Sequence, residues 1–220
     1  MNQQRRALSL VDQQLVDWVD QAATEEERLA IADSLTRATT YLYGWEPAAH
    51  HKVWAAAIER LFNREIPNNR LLIVAPPAHA KTNWGGVAAP SYYVGHNPND
   101  HIIYLSSAQG QAVKSSIAIR DTIGVNKRWR QLYPDVTPDR NKGWAANRWF
   151  LYRPDHPGDK DPTFLAAGVG SQSVLGGRAN FLEFDDINTQ ENVATSYRRD
   201  KVKRWVQQTA FSRESRDAIQ

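Results

Sequence analysis

Short apolar runs set apart by helix-length stretches constrain this chain more than any other feature. They are LLIVA (71–75), HIIYLSS (101–107), TFLAAGV (163–169) and NFLEFDD (180–186). A continuous apolar run of this length suits a strand buried on both faces of a parallel sheet. RWFLY (148–152) reads as a further strand, joined to 163–169 by a polar loop rich in Pro, Asp and Gly. The intervening segments carry helical signals: one helix from Lys81 to about Tyr93, one through AQGQAVKSSIAIRDTIG ending at Gly124, and one from Thr195 to Phe211. Strands alternating with helices predict an α/β fold, doubly wound around a largely parallel central sheet flanked by helices.

Helices also precede the first strand. Leu8, Val11, Leu15, Trp18, Val19 and Ala22 follow the helical spacing, and Thr24 with Glu27 has the spacing of a capping box that opens a second helix closing at Gly44. Pro47 is placed to start a third through AAHHKVWAAAIERLF. The expected organisation is an N-terminal helical segment, 1–44, packed on one larger domain, 45–220.

With 220 residues, 41% of them hydrophobic, the chain can bury one full core. Cysteine is absent, which excludes disulfides, thiolate metal sites and a catalytic thiol. No window approaches the roughly 18 consecutive apolar residues of a membrane span, and MNQQRRALSLVDQQ lacks a signal-peptide core, so a soluble, intracellular protein with no membrane partner is expected. The net charge is only +3. Basic residues cluster at Arg198, Arg199, Lys201, Lys203 and Arg204, which suits either a polyanion contact or a solvated helix face. Most of the eight tryptophans are expected to be core anchors.

Chemistry concentrates at Ala75-Pro-Pro-Ala-His-Ala-Lys81-Thr82. A phosphate-binding loop needs a strand feeding a tight turn, amide N–H groups facing inward at a helix N-terminus, a lysine for the terminal phosphates and a Ser or Thr hydroxyl for magnesium. Strand, turn, Lys-Thr pair and helix occur here in that order, but Ala75 and Ala80 stand where the pattern has glycine. Alanine blocks phosphate approach little, yet it is penalised at any left-handed backbone angle. A buried strand followed by a turn with a surface lysine is the competing reading. Further along, Asp185-Asp186 ends an apolar strand, where one carboxylate can order magnesium and a second can polarise water. An acidic pair starting a helix is equally ordinary.

The order of motifs resembles the ATPase part of the large terminase subunit of tailed bacteriophages, the motor that packs DNA into proheads. PPAHAKT (76–82) corresponds to the family's PPRHGKS-like loop. Pro98, Ile102 and Ser106 match its P-x-x-x-I-x-x-x-S, and LYP (132–134) its late lfP. SVLGGRANFLEFDDI matches the G-R stretch leading to D-D, and Ser196, Arg199, Lys201, Val202 and Trp205 match the helix running into SRE. The resemblance spans about residues 45 to 214 and implies a phosphate-loop NTPase fold.

It further implies roles. The loop residues Pro77, Ala78, His79 and Ala80 would line the nucleotide's phosphates, with Lys81 on the β- and γ-phosphates. Thr82 and Asp185 would hold magnesium, and Asp186 would stand at the catalytic carboxylate position. Arg178 would be a finger toward a neighbouring subunit's ATP, against a bland reading as a turn arginine. Trp45 and His50 lie where adenine contacts begin in the family, although a core tryptophan and a surface histidine explain them as well. The implied cofactors are ATP and Mg2+. The implied partners are double-stranded DNA, a homo-oligomeric ring, the portal protein and the small terminase subunit, in the host cytoplasm and transiently on the prohead.

Two departures stand out. The family carries arginine where Ala78 stands and glycine where Ala80 stands, so slow or impaired hydrolysis is expected. Glu183 also interrupts the last apolar strand. Family members continue into a coupling strand and a nuclease domain; the chain is expected to be an ATPase part without nuclease activity, since the clustered carboxylates of a two-metal nuclease have no candidate here. The alternative is a degenerate nucleotide-fold module that binds DNA or a partner without turnover. A helicase-like ATPase of another lineage would need a second motor domain, for which 220 residues leave no room.

Overall fold

The computed structural model describes residues 24–220, so the helix expected over 8–22 lies outside the described residues. Two helices open the described chain, α1 (Glu25–Ala32) and α2 (Leu35–Tyr43), where the sequence reading had one. The capping box forms as expected: the Glu27 amide donates to Thr24 and the Thr24 amide to Glu27. Ser34 then caps a fresh start, because its hydroxyl accepts from the Arg37 amide and breaks the helical path. Gly44 closes α2 in the left-handed conformation, φ 68°. Helix α3 (Ala49–Phe62) follows.

Next comes one unbroken helical path, α4, made of Lys81–Asn83, a π turn at Trp84–Ala88 and Ala89–His96. It leads to β1 (Ile102–Ser106), α5 (Gln109–Val125) and α6 (Lys127–Leu132). After these come β2 (Arg148–Trp149), β3 (Phe164–Gly168), β4 (Ala179–Asp185) and α7 (Gln190–Val193). The described chain ends with α8 (Ser196–Trp205), continued through Val206–Ala210 and Phe211–Arg213, and with β5 (Glu214–Ile219).

The five strands form one sheet in the order β2-β3-β1-β4-β5. All neighbours are parallel except β2 with β3, so the fold is α/β with a mostly parallel sheet. Period-2 alternation divides the central strands between two cores. Ile102, Tyr104, Phe164, Ala166 and Phe181 face one side, packed with Tyr41, Ile119 and Trp129. Ile103, Leu105, Leu165, Ala167 and Leu182 face the other, covered by Val174 and Ala210 with Trp205 and Phe211 against them. Burial on both sides explains why these strands were readable as unbroken apolar runs. Among the described residues no helix is long and apolar enough to cross a membrane.

Two expectations are corrected. Residues 71–75 form no strand; Leu72 and Val74 are 85% and 82% exposed. Only the beginning of the segment finds a ladder: the Leu71 amide donates to the Gln220 carbonyl and the Gln220 amide to the Asn69 carbonyl, each at 2.9 Å. The run therefore lies beyond the β5 edge with a single backbone neighbour, and its alternate side chains point outward. The end of the chain is the second correction: the last helix was expected to end at Phe211 with no strand after it, whereas Glu214–Ile219 forms β5 beside β4. RWFLY also contributes only its first two residues as strand.

Candidate functional site

The loop ahead of α4 turns through left-handed residues. Ala78 and Ala80 have φ 65° and 54°, a region that costs a residue with a Cβ about 1–2 kcal/mol. The sequence placed alanine where glycine was expected at Ala80, and the backbone adopts the glycine-like angle regardless. The first bond of α4 runs from the Trp84 amide to the Ala80 carbonyl at 3.0 Å. The Lys81, Thr82 and Asn83 amides therefore have no intrahelical acceptor and carry the positive end of the helix dipole.

A histidine from α3 braces this loop. The His51 Nδ1 accepts from the Ala48 amide at 3.1 Å, which leaves Nε2–H to donate to the His79 carbonyl at 3.0 Å. Its ring stacks on Trp84, with centroids 4.8 Å apart. Burial lowers the His51 pKa below the usual imidazole value; the bond to the His79 carbonyl opposes this, and His50 and His79 add to it. Sequence reading singled out His50, and it sits beside the loop, its ring 5.4 Å from that of His79 and 4.9 Å from Trp54. His51 makes the bonds. A buried histidine one residue from a noticed one carries no separate sequence signal.

Parallel pairing sets the carboxylates. Ser106 of β1 is in register with Asp185, and Tyr104 with Glu183, so β4 ends beside the start of α4. Thr82 Oγ1 donates to Asp185 Oδ2 at 3.2 Å across 103 residues of sequence. The Lys81 ammonium hydrogen-bonds Asp186 Oδ1 and lies 3.7 Å from Asp185 Oδ1. Asp185 is largely buried, whereas the Asp186 side chain is 71% exposed. Asp186 is itself left-handed at φ 47°, a strained angle that turns its carboxylate out of the strand toward Lys81. Lys81, Thr82, Asp185 and Asp186 thus meet at one point.

Two further groups complete this point, and neither was singled out in the sequence. Tyr104 donates to Asp185 Oδ2 at 2.8 Å, and its hydroxyl lies 3.1 Å from Ser115 Oγ. Burial, with the nearby Glu183 and Asp185 charges, raises the Tyr104 pKa and keeps the phenol protonated. Gly86 lets α4 approach: a Cβ there would lie 2.5 Å from the Tyr104 hydroxyl and 3.3 Å from the Thr82 methyl. A Gly-Gly pair inside a helix after a Lys-Thr was the available signal for this close approach.

The remaining expected residues make no contact within this cluster of four. Arg178 immediately precedes β4 and is exposed, at the opposite end of a seven-residue strand from Asp185. At about 3.3 Å per residue its Cα stands roughly 20 Å from that of Asp185 along its own strand. Trp45 stacks on Tyr43 at 4.4 Å and packs against the apolar cluster containing Trp84 and Ala88. Pro77 and Ala78 are exposed in the loop, and His79 Nδ1–H donates to the Pro77 carbonyl at 3.0 Å.

Thr82 Oγ1 and the Asp185 carboxylate are the oxygen donors here that could hold a hard divalent cation. His101, Asp159 and Asp161 form a second cluster of possible ligands. There the Arg153 guanidinium already bonds Asp159, the Pro98 and Asp100 carbonyls and Thr163, tying the 153–163 loop to the sheet as a structural knot.

The fold and this cluster define a mostly parallel α/β protein with a lysine, a hydroxyl and two carboxylates at the C-terminal end of its sheet. No protein-family model and no curated protein matches the chain.

Proposed function

We propose that the chain is the ATPase part of a viral DNA-packaging motor of the terminase large-subunit type, with a phosphate-loop NTPase fold. The observation that carries this reading is the meeting of Lys81 and Thr82 with Asp185 and Asp186 across more than a hundred residues of sequence. The family resemblance had assigned these four residues to a single nucleotide site.

In this reading the terminal phosphates of ATP replace the carboxylates as partners of the Lys81 ammonium, and the unpaired amides at the start of α4 add donors. Thr82 Oγ1 and Asp185 would hold magnesium, which neutralises charge on the phosphate oxygens. Released from Lys81, the exposed Asp186 is free to accept a proton from, or orient, the attacking water. Lys81 stabilises the charge that builds on the transferred group. Arg178 is far from its own site, so it serves only as a finger from a neighbouring subunit of a homo-oligomeric ring. The exposed α8 cations Arg198, Arg199, Lys201, Lys203 and Arg204 suit the backbone of double-stranded DNA, with affinity falling as salt rises. Portal protein and small terminase subunit complete the assembly, in the host cytoplasm and on the prohead.

The second reading is a nucleotide-fold module that binds DNA or a partner without turnover. It is favoured by the strained Ala78 and Ala80 and by the absence of an arginine in the loop. Thermal unfolding with and without Mg-ATP, on wild type and Lys81→Ala, tests the first reading. At a hundredfold excess over Kd, a ligand of the folded state stabilises by about 2.7 kcal/mol. Stabilisation confined to wild type supports the motor, and magnesium-dependent turnover separates motor from module. No response in either protein rejects the nucleotide site.

A further inference from the structure

Behind the phosphate-loop cluster, between α3, the start of α4 and β4, lies a cavity of about 480 Å3. It adjoins the cluster, since Lys81 and Asp185 form part of its wall, but residues 76–80, Thr82 and Asp186 do not line it. Five aromatic side chains line it, Trp54, Phe62, Phe181, Phe184 and Phe211. The volume lies within the roughly 300–1,000 Å3 of small-molecule sites and far exceeds the ~30 Å3 share of one water.

One polar group in this wall is unaccounted for. Arg70 is paired with Glu214 and lies over the Phe211 ring, and Asp185 accepts from Thr82 and Tyr104. Lys81 is held by Asp186. Glu183 makes no hydrogen bond among the described residues, and its Oε2 is sealed from solvent although the residue as a whole is partly exposed. A sealed oxygen acceptor without a donor is costly, and native proteins rarely leave one unsatisfied. Its strand was otherwise apolar, so the carboxyl is an interruption for which the phosphate-loop chemistry has no use.

We propose that this cavity is a binding site for a small, neutral, aromatic molecule that donates one hydrogen bond, from a hydroxyl or an amide N–H, to Glu183. Five aromatic rings favour a flat apolar body by stacking and edge contacts. Lys81 and Arg70 disfavour a cation, and Asp185 disfavours an anion, which leaves a neutral ligand. The acceptor is available whether the carboxyl is protonated or not, since the carbonyl oxygen of the acid accepts as well. Glu183 and the five rings have no role in the proposed nucleotide site, so the cavity can be probed without nucleotide.

The test uses the full chain with 2-naphthol and naphthalene, two probes that differ only by a donor. Isotope-labelled methyl groups of Ile58, Ile73 and Ile187, which line the cavity, report occupancy by NMR titration. One satisfied hydrogen bond predicts 2-naphthol binding up to about tenfold tighter than naphthalene. Glu183→Gln, which keeps a carbonyl acceptor, retains the preference. Glu183→Leu loses it while naphthalene still binds. Ala89→Phe fills the space and abolishes both, with circular dichroism confirming the fold. Equal affinity of the two probes for wild type, an unchanged preference in Glu183→Leu, undiminished binding to Ala89→Phe, or no methyl shifts would each overturn the site.

Discussion

The Tyr104 hydroxyl donates to Asp185 Oδ2 at 2.8 Å, the same oxygen that accepts from Thr82 at 3.2 Å. Tyr104 is fully buried and two positions along β1 from the strand's end, so it fixes Asp185 from beneath while Thr82 meets it from α4. The carboxylate is therefore positioned by the sheet before any ligand arrives. Gly86 completes the arrangement, because only a residue without a Cβ lets α4 come this close.

Gly86→Ala would place a methyl 2.5 Å from the Tyr104 hydroxyl. Overpacking of this kind costs about 1–3 kcal/mol. Tyr104→Phe alone costs about 1 kcal/mol, the worth of a buried hydrogen bond. In the double variant the clashing oxygen is gone, so the combined loss in urea unfolding should fall short of the sum by at least about 0.5 kcal/mol. Simple additivity would show that the two residues do not meet.

The strained loop makes an unusual prediction for glycine. Relief of the left-handed angle at Ala80 returns about 1–2 kcal/mol, against roughly 0.5–1 kcal/mol of added unfolded-state entropy. Ala80→Gly should thus raise stability by up to about 1.5 kcal/mol, and Ala78→Gly should act in the same direction. Ala80→Val should lower it. A urea midpoint that drops for both glycine variants would refute the strain.

His51 contributes pH dependence of one sign. Burial lowers its folded pKa below 6.5, so the folded chain resists the proton that the unfolded chain accepts. Its contribution is complete above pH 6.5 and is lost as pH falls toward the depressed folded value. Denaturant unfolding at pH 7.5 and pH 5 should show wild type weakening on acidification. His51→Asn cannot titrate and can still accept from the Ala48 amide, so the difference between the two proteins should shrink at the lower pH. A constant difference would argue that His51 is not held neutral.

Glu183 acts in the opposite sense. Burial first, and the Asp185 charge second, raise its carboxyl well above 4.5, so the folded chain keeps a proton that the unfolded chain releases. This stability is complete below pH 4.5 and is withdrawn as pH rises toward the raised folded value. Glu183→Gln has no proton to lose. Its stability relative to wild type should grow between pH 5 and pH 8, measured by paired urea titrations, and a flat difference would mean the carboxyl is ionised in the folded state.

Much of the site was legible in the sequence. Lys81, Thr82, Asp185 and Asp186 were singled out as the phosphate-loop and strand-end groups, and these four converge. Arg178 lies at the far end of β4 from Asp185, and Trp45 packs with the apolar cluster around Trp84. What escaped was the supporting layer: His51 bracing the loop, Tyr104 beneath Asp185, and Gly86 admitting the helix. Only Gly86, in a Gly-Gly pair after Lys-Thr, had a local signal; His51 and Tyr104 matter through neighbours elsewhere in the chain.

The fold divides along the same line. Apolar period and caps determined α1 at Thr24, the left-handed stop at Gly44, and the buried strands β1, β3 and β4, because each feature depends on residues within one turn or one strand. Tertiary structure decided that 71–75 runs along an edge with Leu72 and Val74 exposed, that Glu214–Ile219 pairs with β4, and that Glu183 faces a cavity. Hydrophobic period reports which face of an element is apolar. Which neighbour covers that face, and how closely it approaches, is settled by packing between residues well separated in the chain, as Ala179 and Glu214 or Thr82 and Asp185 are.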